Sequence, residues 1–453
     1  MKLRKFLLPA GIPLCLLINS AAQTASSGYV SSRQNASADE IALPTPTGPY
    51  RVGTASFHRI DTSRPETFTA DSTDHRQVFF HIWYPAGSTG GTLAPYVDNL
   101  VPDNEIFRTS YSFAQIERVM KTRSHAFNGV KVSRAERRYP VIVFSHGLNR
   151  VSAHYTVFLE NLASHGYIVV GVDSPFFSSA LKMPDGRIIK NESQRNQRQG
   201  ARVEEAVIQA QDLIFVLNEL ERLNKKDTDI GLAGRFDLRH IGVFGHSRGG
   251  FTAPHACLLD SRFRACLNLD GYPLTPAVME KGIRQPYMHI EEIAPWLQDP
   301  LTDEELKRAN QTREEANKAS QEVERQREKT FSKMSSGVYL VTVTGAMHNS
   351  FSDMPFISPE RYNNIKINAA RALTITNAYI LAFFDRYLRG RRQPLLEGNA
   401  SIFPEVTLQV LTAPRSRSDS IRDRAATTKF SPANCGGLTL PVTVSTNLSL
   451  NSG

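Results

Sequence analysis

The sequence reads as an α/β protein with a mostly parallel central sheet and helices on both faces. Short apolar runs without polar alternation recur at Val141 to Phe144, Ile168 to Val172, Ile241 to Phe244, Cys266 to Leu269, Tyr287 to Ile290 and Val338 to Val343, as strands buried on both faces require. Between the second and third, Val203, Ala206, Val207, Ala210, Leu213, Ile214, Leu217 and Leu220 are spaced by threes and fours, which marks a helix face; a second helical pattern follows the last strand, from about Ala369 to Leu388. The 453 residues, 41% hydrophobic and 21% charged, suffice for a large core and exclude wholesale disorder.

In chain order, residues 1–22 place Lys2, Arg4 and Lys5 ahead of an apolar stretch from Phe6 to Ile18 and the small residues Ser20 and Ala22. This is the pattern of a signal peptide cut near Gln23, and it predicts a secreted or periplasmic protein. Pro9, Gly11 and Pro13 interrupt a run already too short to span a bilayer. Residues 23–47, rich in Ser, Ala, Thr and Pro, are expected to be a flexible lead-in to a domain over 48–393. Gln77 to Tyr84 is an aromatic and β-branched run of strand type, closed by Pro85, Ala86 and Gly87. Trp296 to Gly337 holds eight basic and nine acidic residues, which predicts a solvated helical insertion after the seventh strand, either a lid over a site or a surface hairpin. Residues 394–453 read as a low-complexity tail with fragments of strand pattern such as Val406 to Leu411.

The formal net charge is +9, of which the leader supplies three. No basic run with interleaved aromatics occurs, so a nucleic-acid partner is not expected, whereas the mild charge is compatible with contact at an anionic lipid surface. Beyond the leader stand Cys257, Cys266 and Cys435, an odd number; Cys257 and Cys266 are close enough in sequence to pair, or equally to be two buried thiols beside a core strand. There is no His-x-x-x-His or Cys-x-x-Cys pair, dinucleotide fingerprint or phosphate loop, so no metal and no cofactor is expected.

The chemistry is carried by Gly245-His246-Ser247-Arg248-Gly249, which follows the strand Ile241 to Phe244 and precedes a helical segment from Phe251. A sharp strand-to-helix turn needs residues without bulk around the serine and lifts its hydroxyl above the sheet, the nucleophile elbow of the α/β-hydrolase fold. Ser247 is thus the candidate nucleophile, and it needs a base oriented by a third group. His348, just beyond the strand Val338 to Val343, stands where this fold places its histidine. The acid is Asp270, at the end of Cys266 to Leu269, or Glu291 or Glu292, at the end of the next strand. Two backbone N–H donors must face the developing oxyanion; Arg248, after the serine, and Leu148, in the loop after Val141 to Phe144, are the candidates.

Blocks along residues 48–390 extend the pattern: GPYRVG at 48–53, Trp83-Tyr84-Pro85, YPVIVFSHGL at 139–148, LASHGYIVVGVD at 162–173, GHSRGG at 245–250, RFRACLNLDGYP at 262–273, Gln285-Pro286 and MHNSFSDMPF at 347–356. In these the chain resembles the secreted platelet-activating factor acetylhydrolases, or lipoprotein-associated phospholipases, and their microbial relatives. The resemblance implies Ser247 as nucleophile, Asp270 as acid, His348 as base and the Leu148 and Arg248 N–H groups as oxyanion hole. It also implies calcium-independent hydrolysis of short or oxidised sn-2 acyl groups of glycerophospholipids. Arg248 stands where the animal enzymes have a large apolar residue, and the 296–337 insertion is longer, so pocket shape does not transfer. A general carboxylesterase or polyester hydrolase without a phospholipid role is the alternative; a non-catalytic binding protein is disfavoured because serine and histidine are both present.

Overall fold

The computed structural model describes residues 41–87, 89–97, 112–193, 200–226, 228–292, 302–308, 310–398 and 402–411. The leader, most of the lead-in, Trp296, Cys435 and the tail from residue 412 lie outside them.

Thirteen strands and nine α-helices run through the described residues: β1 (Arg51–Pro65), β2 (His75–Ala86), β3 (Thr92–Pro95), α1 (Phe113–Lys121), β4 (Arg123–Asn128), β5 (Tyr139–Ser145), α2 (Thr156–Ser164), β6 (Ile168–Asp173), β7 (Ala180–Lys182), β8 (Ile188–Lys190), α3 (Ala201–Leu223), β9 (Phe236–His246), α4 (Arg248–Leu259), β10 (Phe263–Leu269), α5 (Pro276–Lys281), β11 (Tyr287–Glu292), α6 (Asp303–Arg308), α7 (Arg313–Phe331), β12 (Val338–Val343), α8 (Met354–Ile357), α9 (Ala369–Arg389) and β13 (Val406–Leu411). The main sheet is 11-stranded in the order β13-β12-β11-β10-β9-β5-β6-β2-β1-β4-β3. From β6 to β12 every neighbouring pair is parallel, and antiparallel β2 and β13 flank that block.

Side chains of successive strand residues point to opposite faces, and here both faces are covered. Ile142 and Phe144 join one core with Phe244 and with residues of α2 and α9. Val141 and Val143 join another with Val243 and residues of α3, α4 and α5. That double burial is why these strands read as unbroken apolar runs. Helix α9 starts where the Asn368 side chain accepts the Arg371 N–H at 3.1 Å and ends at Gly390, whose φ of 65° suits glycine.

Four features differ from the sequence reading. Strands β1, β3, β4 and the β7–β8 pair lack an apolar run; β1 is half-exposed along most of its length, so its signal is diluted. With these strands counted, the helical insertion falls between β11 and β12. Residues 41–47 pack rather than float: Ile41 and Leu43 are buried, and the Thr47 N–H donates to Asn161 Oδ1 at 3.0 Å. Val406–Leu411, placed in the tail, forms β13 along the edge at β12. Of the two readings of Cys257 and Cys266, the second holds: they are free, buried thiols, and burial followed by the contact with Cys257 pushes the Cys266 thiol well above its usual range. None of the described helices is long and apolar enough to cross a membrane.

Candidate active site

The C-terminal ends of the parallel strands bring the singled-out residues to one edge of the sheet. Ser145, ending β5, pairs with Gly245 of β9, and His246 pairs with Leu269 of β10. The residues that follow these ends are Gly147 and Leu148, Ser247, and Asp270. Convergence at the carboxyl ends of strands is where open α/β sheets bind ligands.

Ser247 has φ 54° and ψ −114°, a conformation costly for a residue with a side chain. Its surroundings hold it there: its N–H donates to the Leu269 carbonyl at 2.8 Å, and its own carbonyl accepts the Phe251 N–H at 2.9 Å within α4. A methyl on Gly249 would lie 1.9 Å from the Ser145 carbonyl oxygen, so only glycine lets α4 approach β5 this closely. Arg248 opens α4, and the first N–H groups of a helix have no partner within it. Gly147 lies against the serine, since a methyl there would touch Ser247 Cβ at 3.4 Å. Leu148 is the next residue.

Asp270 also has a positive φ, 52°, and its N–H continues the ladder to the Ile290 carbonyl at 2.8 Å. The chain turns directly afterwards at Gly271, where a methyl would meet the Ser247 carbonyl oxygen at 2.4 Å. His348 Nδ1 lies 2.5 Å from Asp270 Oδ2. An ionised carboxylate only accepts, so Nδ1 carries the proton, and Nε2 is left with a lone pair. Of the three carboxyls read as candidate acids, Asp270 meets the imidazole. Glu291 instead pairs with Arg327 of α7 at 2.5 Å and His289 at 3.3 Å; burial acts to raise its carboxyl, but His289 and Arg327 outweigh that and hold it below the usual range.

A second chain of bonds, built on a tyrosine that carries no motif signal, crosses beneath the serine. The Gly147 N–H donates to the Tyr155 hydroxyl at 3.1 Å, and that hydroxyl is 2.8 Å from His246 Nδ1. His246 Nε2 is 2.9 Å from the His348 carbonyl oxygen, which only accepts, so Nε2 is the protonated nitrogen and Tyr155 donates to Nδ1. Burial, and then the nearby His348, keep His246 neutral, well below the ordinary histidine pKa. The two histidine rings lie 4.6 Å apart.

Arg248, which departs from the resemblance, is buried and ion-paired with Glu205 of α3. Its side chain lies over the Phe177 ring, so its charge is compensated inside the fold. Among the described residues, one group has donor atoms spaced closely enough to surround a metal: Asp270, Glu292 and His348, all within 4.8 Å of one another. Its imidazole nitrogen and aspartate oxygen are already bonded to each other.

A family model described as platelet-activating factor acetylhydrolase, isoform II, matches residues 35–394. The chain is 24% identical over 405 residues to the platelet-activating factor acetylhydrolase of Cavia porcellus, across 81% of this chain and 84% of that protein. It is 24% identical over 408 residues to a probable 1-alkyl-2-acetylglycerophosphocholine esterase of Arthroderma benhamiae, across 80% and 92%. The solved ferulic acid esterase from Streptomyces cinnamoneus superposes with a TM-score of 0.65 at 28% identity, covering 82% of this chain and 99% of that one. On the extent of that family match, the chain belongs to the platelet-activating factor acetylhydrolase, isoform II, family and is a carboxylic ester hydrolase of the α/β-hydrolase fold.

Proposed function

We propose that the protein hydrolyses short acyl esters through an acyl-enzyme on Ser247, with sn-2 acetyl, short or oxidised acyl groups of glycerophospholipids as its substrates. The observation that carries this reading is the 2.5 Å bond from the His348 imidazole to Asp270, beside a serine held at positive φ on the same strand edge. Ser247 Oγ attacks the ester carbonyl carbon as its proton passes to His348 Nε2. The carbonyl oxygen takes up the electron pair and is received by the Leu148 and Arg248 N–H groups. Collapse breaks the carbon–oxygen bond to the alcohol, which leaves with the proton from His348. Water, deprotonated by the same nitrogen, then releases the acid and restores the serine. Asp270 holds the tautomer and stabilises the imidazolium.

The test is initial rates on glycerophospholipids with sn-2 chains from acetyl to palmitoyl, beside a soluble aryl ester, with Ser247→Ala as blank. Activity that fades with chain length and vanishes in the variant is the expected result. Turnover retained by Ser247→Ala defeats the mechanism. The likeness to a ferulic acid esterase favours a second reading, a general carboxylesterase without phospholipid activity, and activity on the aryl ester alone decides for it. The leader pattern of residues 1–22 supports export; N-terminal sequencing of the mature protein is expected to begin near Gln23.

A further inference from the structure

Glu292, the last residue of β11, reaches the back of the Asp270–His348 pair. It offers a carboxylate oxygen within 4.8 Å of the ligand atoms of both, with the His348 backbone N–H nearby. The His348 carbonyl takes the proton of His246 Nε2. The charged groups around Glu292 are Asp270 after β10, Glu291 on β11, His348 after β12, and Arg327 on α7, whose guanidinium is directed at Glu291. Among the described residues no cation pairs with Glu292 itself.

We propose that Glu292 is a positioning residue for the base: its carboxyl, set beside both Asp270 and His348, keeps Asp270 as the single negative charge facing the imidazole. This rests on the reading of Ser247, Asp270 and His348 given above. Two carboxylates this close in a half-buried site do not both ionise readily. Burial first, then Asp270 and Glu291, raise the Glu292 carboxyl to about 8, against the opposing pull of the His348 N–H. When Glu292 loses its proton, the second charge repels Asp270 and loosens its hold on Nδ1.

Glu292→Gln keeps a polar group of the same shape beside the pair and cannot ionise, whereas Glu292→Ala empties that position. Against a soluble aryl ester, the wild type is expected to show kcat/KM falling above a pH near 8. Glu292→Gln should match it within about threefold near pH 6.5 but lose that alkaline fall. Glu292→Ala should lower kcat about 10- to 100-fold with KM little changed, the mark of a misplaced catalytic group. Circular dichroism and thermal melts of each variant establish that it folds; if Glu292→Ala does not fold, the Glu292→Gln profile alone decides. Identical profiles for wild type and Glu292→Gln, or equal losses in both variants, overturn the proposal. Ser247→Ala separates the two readings: if it retains turnover both fall, and if it is inactive while the Glu292 variants behave as wild type, only this one does.

Discussion

At the scale of single residues, the site depends on which nitrogen of each histidine holds a proton. Asp270 fixes Nδ1–H of His348, and the His348 carbonyl fixes Nε2–H of His246. Asp270→Asn is therefore expected to present an amide donor where an acceptor is needed, turn the imidazole to its other tautomer, and lower kcat/KM by about 10³- to 10⁴-fold with the fold intact. A loss of less than tenfold would mean that another group orients His348. The sequence exposed Ser247, His348 and the elbow glycines because strand, motif and helix are contiguous. Spacing favoured Asp270 only mildly over Glu291 and Glu292, because all three stand at a strand end and only the register of β10 against β11 decides which reaches the imidazole; the family resemblance singled it out. Tyr155 was illegible: its hydroxyl meets His246 across 91 residues, and nothing in its neighbourhood announces it.

At the scale of elements, loops borrow stability from helix ends. Asp353, fully buried after the His348 segment, accepts the Tyr96 hydroxyl at 2.9 Å and the Val157 N–H at 3.4 Å in the first turn of α2. Burial raises its carboxyl to about 7. With the folded value above the unfolded one, the stability this group contributes is fully present below the unfolded value near 4 and is lost as pH rises through about 7. Asp353→Asn, which stays neutral, should melt with the wild type at pH 4 and be more stable at pH 8, by roughly 1–4 kcal/mol. A difference that does not vary between those pH values would contradict this assignment. The helices α3 and α9 were readable from spacing alone because each buries one face. Helix α7 was readable as a helix for another reason, its dense charge, while its Thr312–Glu315 capping box and its anchorage through Arg327 to Glu291 emerge only in the structure.

At the scale of the whole molecule, the parallel block supplies the frame, and a buried ionic knot ties its β2 side to α3. Arg76 of β2 donates to Asp212 of α3 at 2.7 Å and to Glu66 at 2.9 Å, while Arg64 reaches Asp212 at 2.8 Å. Removing one partner of such a group strands the others. Arg76→Met should cost about 3–5 kcal/mol, read as a lower urea midpoint with the slope unchanged; a midpoint equal to wild type would show the knot to be dispensable. The fold class was legible because burial on both faces writes itself into uninterrupted apolar runs. The flanking strands were not, since β1 and β4 sit half in solvent and borrow their order from neighbours. The strand order has one more consequence, in time rather than space. From β5 through β9, β10 and β11 to β12, sequence order and position across the sheet advance together, so a chain leaving the ribosome presents Asp270 ahead of His348 by 78 residues, and Ser247 by still more. On the mechanism proposed above, the growing polypeptide lacks its base, and is inert toward esters, until that last strand docks.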